Sequence, residues 1–557
     1  MDPRDRSIRD GEPELPPRRA FLARMGGLGA ATLAGVVAPP LAPRGPETAE
    51  GAGIEAIGDV RRHLQAYQVR QKSALRLLRR PLLPHPDNGD ESRYASRLGS
   101  YSKCLPHDDH GNVDGPAYGK LLAALASGRK ADFEAIPMGG TVKLANPQSA
   151  RAFDLEGFDS NELALPAPPE FSSAWEASEM AEVYWAALTR DVPFTDYETD
   201  ASIAQAASDL SGFSDFRGPK EGGSVTPATL FRGDTPEDLV GPYISQFLWR
   251  DVPYGPITFA QKYRTAAAGT DYMTSFADCL ARQRGGAASG TVFDPTPRYI
   301  RNGRDLAEWL HRDFSIQAGV NTALMLLSPA FGPAALDAGN PYLTSLTQGS
   351  FVTFGPPHVI DLVARVANAA LRAAWYQKWL VHRRVRPEAF GARVHHQVTG
   401  VATSPIHSEL LSSGALSAVF SAKGTYLLPM AYAEGCPAHP AYPAGHAAFI
   451  GACVTVLKAF FKESFVIPAP VVAGADGLSV TPYAGPDLTV GGELNKLAAN
   501  VALGRDTAGV HWRSDGIEGL NLGEAVAIGV LEDLRGTYTE EFGGFSLTKF
   551  DGTTVTV

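Results

Sequence analysis

The fold is decided by residues 359–388, VIDLVARVANAALRAAWYQKWLVHRRVRPE. Apolar residues recur at helical spacing from Val359 to Val381, which predicts a long helix with one buried face. Pro387 should end or bend that helix, because it lacks an amide hydrogen and disfavours helical backbone before it. Toward its end the pattern gives way to Lys378, His382, Arg383, Arg384 and Arg386. On a continuous helix Lys378 and Arg386 would stand roughly 12 Å apart along the axis. They would not share a turn, but their long side chains could lean together around one anion. A basic, solvated helix end favoured by the macrodipole is the plainer alternative.

Outward from this stretch, helical length and spacing recur in Tyr118–Ser127, Ser173–Thr189, Phe194–Ser211, Leu306–Leu326, Ala447–Phe461, Gly492–Leu503 and Gly516–Leu534, after an opening amphipathic segment at 51–83. A polar loop fills 84–115, and Pro/Gly-rich connectors lie at 214–226 and 328–341. Strand signals are short: 140–144, 400–401 and the Val/Thr-rich tail after Lys549. The expected class is all-α with long loops and few short strands. No composition break divides 51–557, so it reads as a single domain.

Hydrophobic content of 44% and charged content of 20% are those of a globular protein, and the net charge of −10 argues against nucleic-acid binding. A cluster of basic residues is therefore informative. Cys104, Cys279, Cys436 and Cys453 form no close pair, which excludes zinc-ribbon and CxxC redox sites and leaves room for one or two disulfides after export. Residues 1–50 read as a targeting segment. Arg18-Arg19 and Phe21-Leu22 precede a weakly apolar run, Gly26–Ala38, and then Pro39, Pro40 and Pro43, as in twin-arginine export signals. The expected location is periplasmic or extracellular, without a membrane anchor once the signal is cleaved.

Two further segments carry chemistry. In His439-Pro440-Ala-Tyr-Pro443-Ala444-Gly445-His446, Pro443 suits a first helical turn, and Gly445 lets a ligand approach free backbone N–H groups. In Gly504-Arg505-Asp506-Thr-Ala-Gly509-Val510-His511-Trp512-Arg513-Ser514-Asp515, Arg505 and His511 are expected on a Gly-flexed link, with Asp515 and Glu518 as a capping pair for the last helix. Together the segments offer guanidinium and ammonium groups suited to an oxyanion, and imidazoles suited to metal bonding or proton handling.

The KxxxxxxxRP, xGH and RxxxxxH segments, in that order, resemble the signature motifs of vanadium-dependent haloperoxidases and the related acid phosphatases. The Lys378–Arg386 step, His439 seven residues before His446, and the GVHWRSD stretch resemble the algal bromoperoxidase branch, as do 144–148, 153–157, 182–197 and 243–247 upstream. The resemblance implies two four-helix bundles with the site at the end of one, within 370–515. It implies vanadate as cofactor, with His511 as its axial metal ligand and Lys378, Arg386, Arg505 and the Gly445 N–H on its oxygens. His446 would handle a proton at the apical oxygen, Lys378 would polarise peroxide, and His439 would border the halide. Substrates would be hydrogen peroxide, bromide or iodide, and a small organic acceptor, and the protein would be a homo-oligomer. One departure is Ala444, where the family usually has Ser. An acid phosphatase using His511 as nucleophile, and an inactive oxyanion-binding or assembly protein, are the alternatives. His107-Asp108-Asp109-His110 and His395-His396 read as loop and packing features, and His382 as a supporting residue.

Overall fold

The structure, a computed structural model, describes residues 60–557; the targeting segment expected over 1–50 lies outside them. The chain divides into two units, Met1–Leu64 and Gln65–Val557, and everything below concerns the second. Among the described residues there are sixteen α-helices and three two-stranded sheets.

Eight helices organise the second unit. They are α1 (Ala174–Thr189), α2 (Ala201–Ser211), α3 (Gly303–Arg312), α4 (Pro356–Tyr376), α5 (Pro387–Thr399), α6 (Gly445–Phe460), α7 (Val490–Thr507) and α8 (Arg513–Arg535). In α4 the buried positions Val359, Leu362, Val363, Val366, Ala367, Ala370, Ala373 and Ala374 trace one stripe at the expected spacing. That stripe, with α6, α7 and α8, encloses one core. Gly523 brings α8 close to α6: a Cβ there would fall 2.1 Å from the Ala448 carbonyl oxygen. A second core gathers α1, α2, α5 and Gly414–Lys423. The all-α class with few short strands is therefore present, and α3 and Gln317–Leu326 add buried residues to the first core beyond its four central helices.

Several local expectations need correction. Residues 140–144 form no strand, because Gly139 and Val142 donate to Cys104 O and Gly285 O in separate loops. Gly400 is a left-handed helix cap (φ 73°), the conformation glycine adopts without a Cβ penalty. The tail does pair, Thr554–Thr556 against Ser546–Thr548. The helix expected over Leu306–Leu326 is broken, because Asp313 is extended (φ −60°, ψ 145°) between α3 and Gln317–Leu326. The four cysteines are separate, buried thiols.

Candidate functional site

Five helix ends meet at the site: the C-termini of α4 and α7 and the N-termini of α6 and α8 from the first core, and the N-terminus of α5 from the second. Each delivers one part of the predicted cluster.

After α4 the chain does not continue as one helix through Arg386. Residues Gln377–His382 form a π-helical turn, Arg383 is left-handed (φ 42°), and Arg386 is the N-cap of α5. Pro387 thus starts a helix, where its missing N–H costs nothing. The widened turn places Lys378 inside, fully buried, donating to Pro440 O (2.8 Å) and Ala441 O (2.7 Å). Arg386 turns inward to the same loop. It donates from Nε to His439 O (2.9 Å) and from Nη1 to Val510 O (2.6 Å), and its Nη2 lies 2.9 Å from His439 Nδ1.

The α6 end also differs from expectation. Pro443 lies outside the helix, after a cis peptide bond with Tyr442, and Ala444 is the N-cap. Alanine supplies no side-chain cap, and the first-turn N–H groups of Gly445, His446 and Ala447 have no intrahelical acceptor. The Gly445 backbone sits against Trp375, whose ring would lie 3.2 Å from any Cβ there. The same tryptophan stacks obliquely on His439 at 4.7 Å. His446 has Nε2 3.1 Å from Asp313 Oδ1. Burial and Arg505 lower its pKa, and Asp313 opposes them.

Arg505 belongs to the last turn of α7 and not to the link that follows. It donates from Nη1 to Leu310 O (2.7 Å) and to the Tyr432 hydroxyl (3.2 Å), and its buried Nε has no acceptor. His511 lies in the link, where its Nδ1–H donates to Asp515 Oδ2 at 2.7 Å. That leaves the lone pair on Nε2, which accepts from Arg386 Nη1 at 2.9 Å. A carboxylate that fixes the tautomer and leaves the other nitrogen free is the usual support of a metal-bound histidine. Asp515 does cap α8, accepting from the Trp512 N–H (3.2 Å), while Glu518 takes no part.

The electrostatics follow from burial. The His511 pKa is pushed well below its ordinary value by burial, and then by Arg386, Lys378, Arg505 and His439. Burial, Lys378 and Arg386 do the same to His439. Lys378 itself is driven well down by burial and by Arg386. The mutual effects place Lys378, Arg386, Arg505, His439 and His511 within range of one another. Lys378, Arg386 and Arg505 form no ion pair among the described residues; each donates to neutral oxygen or nitrogen. Buried cations are normally paired. Arg232 and Lys458 are also buried on carbonyl oxygens alone, so the distinguishing feature of these three is their convergence beside His439 and His511.

His382 stays outside the cluster, edge-on to Tyr442 with both ring nitrogens unpartnered, and burial takes its pKa down to about 3. His395 and His396 pack on Phe276. His107 bonds to Leu105 O, and Asp108 holds the amides of its own loop. Among the described residues no group of three or more His, Cys, Asp or Glu is arranged to hold a metal ion.

Sequence reasoning missed Asp313 and the tautomer-fixing role of Asp515. The i, i+4 spacing of His511 and Asp515 was a usable signal. Nothing in the sequence ties Asp313 to a histidine 133 positions away.

The family model described as the VCPO second helical-bundle domain matches residues 361–539, the span that holds every cluster residue named above. A vanadium-dependent bromoperoxidase of Ascophyllum nodosum is 37% identical, with 82% of this chain and 85% of that protein aligned. The corresponding enzyme of Corallina pilulifera is 35% identical over 85% of this chain and 92% of its own length. A solved structure, the homohexameric second vanadate-dependent bromoperoxidase of Ascophyllum nodosum, superposes with a TM-score of 0.86 at 32% identity, covering 92% of this chain and 94% of that one.

Proposed function

Because the chain belongs to the vanadium-dependent bromoperoxidase family, we propose that it oxidises bromide or iodide with hydrogen peroxide to a hypohalous acid equivalent, using vanadate held by the buried cluster. The observation that carries this reading is the set of three buried cations without a carboxylate. A tetrahedral oxyanion fits the donor set. Arg386 and Arg505 offer planar forks, Lys378 a compact charge, and the uncapped start of α6 free N–H groups with a favourable dipole.

In this reading Lys378, Arg386, Arg505 and the Gly445 N–H would hold the oxygens, and His511 Nε2 would bond the metal. When bound, vanadate supplies a Lewis acid that activates peroxide toward halide without changing oxidation state. The protein's own contributions are positional. Asp515 keeps the proton on His511 Nδ1, so that Nε2 remains a donor of electrons. Asp313 orients His446, whose pKa burial and Arg505 lower, so that its imidazole can accept a proton from incoming peroxide. Lys378, held on two carbonyls, would hold an oxygen of the bound oxyanion and would stabilise negative charge there. His439 borders the halide side, against Trp375.

We further propose assembly with copies of the same chain. The helix reaching Arg79 buries none of its residues, exposing Tyr67, Leu75 and Leu78. Export through a twin-arginine route is the proposed localisation.

The test is vanadate-free protein assayed before and after reconstitution. Peroxide-dependent bromination of a phenolic dye should appear only with vanadate. Hydrolysis of an aryl phosphate by metal-free protein, without bromination after reconstitution, contradicts the reading and favours a phosphatase. Sedimentation of the purified chain as a monomer overturns the assembly proposal.

A further inference from the structure

Beside the cluster lies a cavity of about 440 Å³, within the range of small-molecule sites. Its walls include Tyr263, Phe293 and Trp309, with the Tyr263 and Trp309 rings edge to face at 5.8 Å. Two guanidinium groups stand over Phe293: Arg264 at 3.6 Å and Arg312 at 5.6 Å from its centroid. Arg312 is partnered by Glu308 (3.0 Å), whereas Arg264 forms no ion pair among the described residues. The inner wall is Asp313, the carboxylate that holds His446. Its Oδ2 is buried and accepts no hydrogen bond. The cavity and the oxyanion cluster thus share one residue as a partition.

We infer that this cavity is a binding site for the organic acceptor, and that the acceptor it fits is an electron-rich aromatic ring carrying an anionic substituent, such as a hydroxybenzoate. The inference rests on the haloperoxidase reading. Aromatic walls take the ring, and Arg264 and Arg312 take the anionic group. The carboxylates of Glu308 and Asp313, which also line the cavity, repel that group, so the hydroxyl-bearing end of the ring and its activated carbons face the partition, on the side where oxidised halogen forms. The step balances without a further reagent. The bromine of hypobromous acid bonds to a ring carbon as its O–Br bond breaks, and the hydroxide released takes the ring proton to give water. An enzyme built this way halogenates a bound acceptor in addition to releasing a diffusible oxidant.

The experiment uses full-length protein and 4-hydroxybenzoate as the probe. Binding to vanadate-free protein is followed by saturation-transfer NMR and by quenching of tryptophan fluorescence. Wild type should bind saturably, and the neutral analogue 4-methylphenol at least tenfold more weakly. Arg264→Ala/Arg312→Ala should weaken the benzoate tenfold or more with no change for 4-methylphenol. Phe293→Ala should weaken both. With vanadate added, the double variant should raise the KM for 4-hydroxybenzoate and leave iodide oxidation to triiodide unchanged. Absence of saturable binding to wild type, equal binding by the double variant, or equal displacement by acetate would each overturn the proposal. Loss of triiodide formation in wild type with benzoate binding retained would instead refute the haloperoxidase reading and leave the cavity as an aromatic-anion site.

Discussion

Arg384 and Arg386 are two residues apart and equally buried, yet they meet opposite surroundings. Arg384 is surrounded by carboxylates. It pairs with Glu176, with Glu179 at 3.0 Å and with Asp515 at 2.8 Å, and also donates to Ser514 Oγ. Arg386 meets only carbonyl oxygens and imidazole nitrogens. The same division separates Arg513, bonded to Glu182 (2.8 Å), from Arg505, which has no carboxylate. Lack of a carboxylate alone does not mark the site, since buried Arg232 also donates only to backbone carbonyls; what sets Arg386 and Arg505 apart is that they converge with Lys378 beside His439 and His511. Asp515 joins the two regions, with one oxygen on Arg384 and the other on His511.

The comparison is open to mutation, and its largest effect concerns folding. Arg384→Ala strands Glu176, Glu179 and Asp515 in the interior, and breaking a buried ion pair costs about 3–5 kcal/mol. Urea unfolding followed by circular dichroism should show a loss of that size. Arg386→Ala removes no ion pair and should cost markedly less, and equal losses for the two variants would erase the distinction. Next in size is the N-cap of α6. Ala444→Ser adds a hydroxyl donor beside the free N–H groups, and a hydrogen bond to a charged group contributes about 1.5–3 kcal/mol. Vanadate affinity should rise by roughly tenfold to a hundredfold in equilibrium dialysis. No change would mean the residue faces away from the anion.

The smallest effect is a pH dependence. Burial pushes the Glu176 pKa up to about 8, against an ordinary 4.5, with Arg384 pulling the other way. Between those values the unfolded chain has released a proton that the folded chain keeps, so this group's contribution falls as pH rises. Its full contribution is present below about 4.5 and declines toward pH 8. Glu176→Gln should therefore flatten the decline of the melting temperature between mildly acid and mildly alkaline pH. A wild-type slope that the variant reproduces would show that the carboxyl is ionised in the fold.

How much of this was visible beforehand follows the same division. That Lys378, Arg386, His446, Arg505 and His511 would be drawn toward one place was legible from three short motifs taken together in order, since each alone reads equally well as an ordinary helix end or turn. The helices themselves were legible because their apolar stripes, as in α4, are periodic. The geometry between them was not. A π-helical turn at Gln377–His382 and a left-handed Arg383 turn Arg386 inward, and neither has a periodic signal. Pro387 read as a stop when it is a start, because proline satisfies both roles. Asp313 was invisible because tertiary packing alone brings it to His446.

The most direct measurement is calorimetric titration of vanadate-free protein with orthovanadate. Wild type should bind one anion per chain, and Arg386→Ala and His511→Ala should each lose most of that affinity while Glu176→Gln retains it. Wild-type-like binding by the Arg386 and His511 variants would contradict an oxyanion site at this cluster.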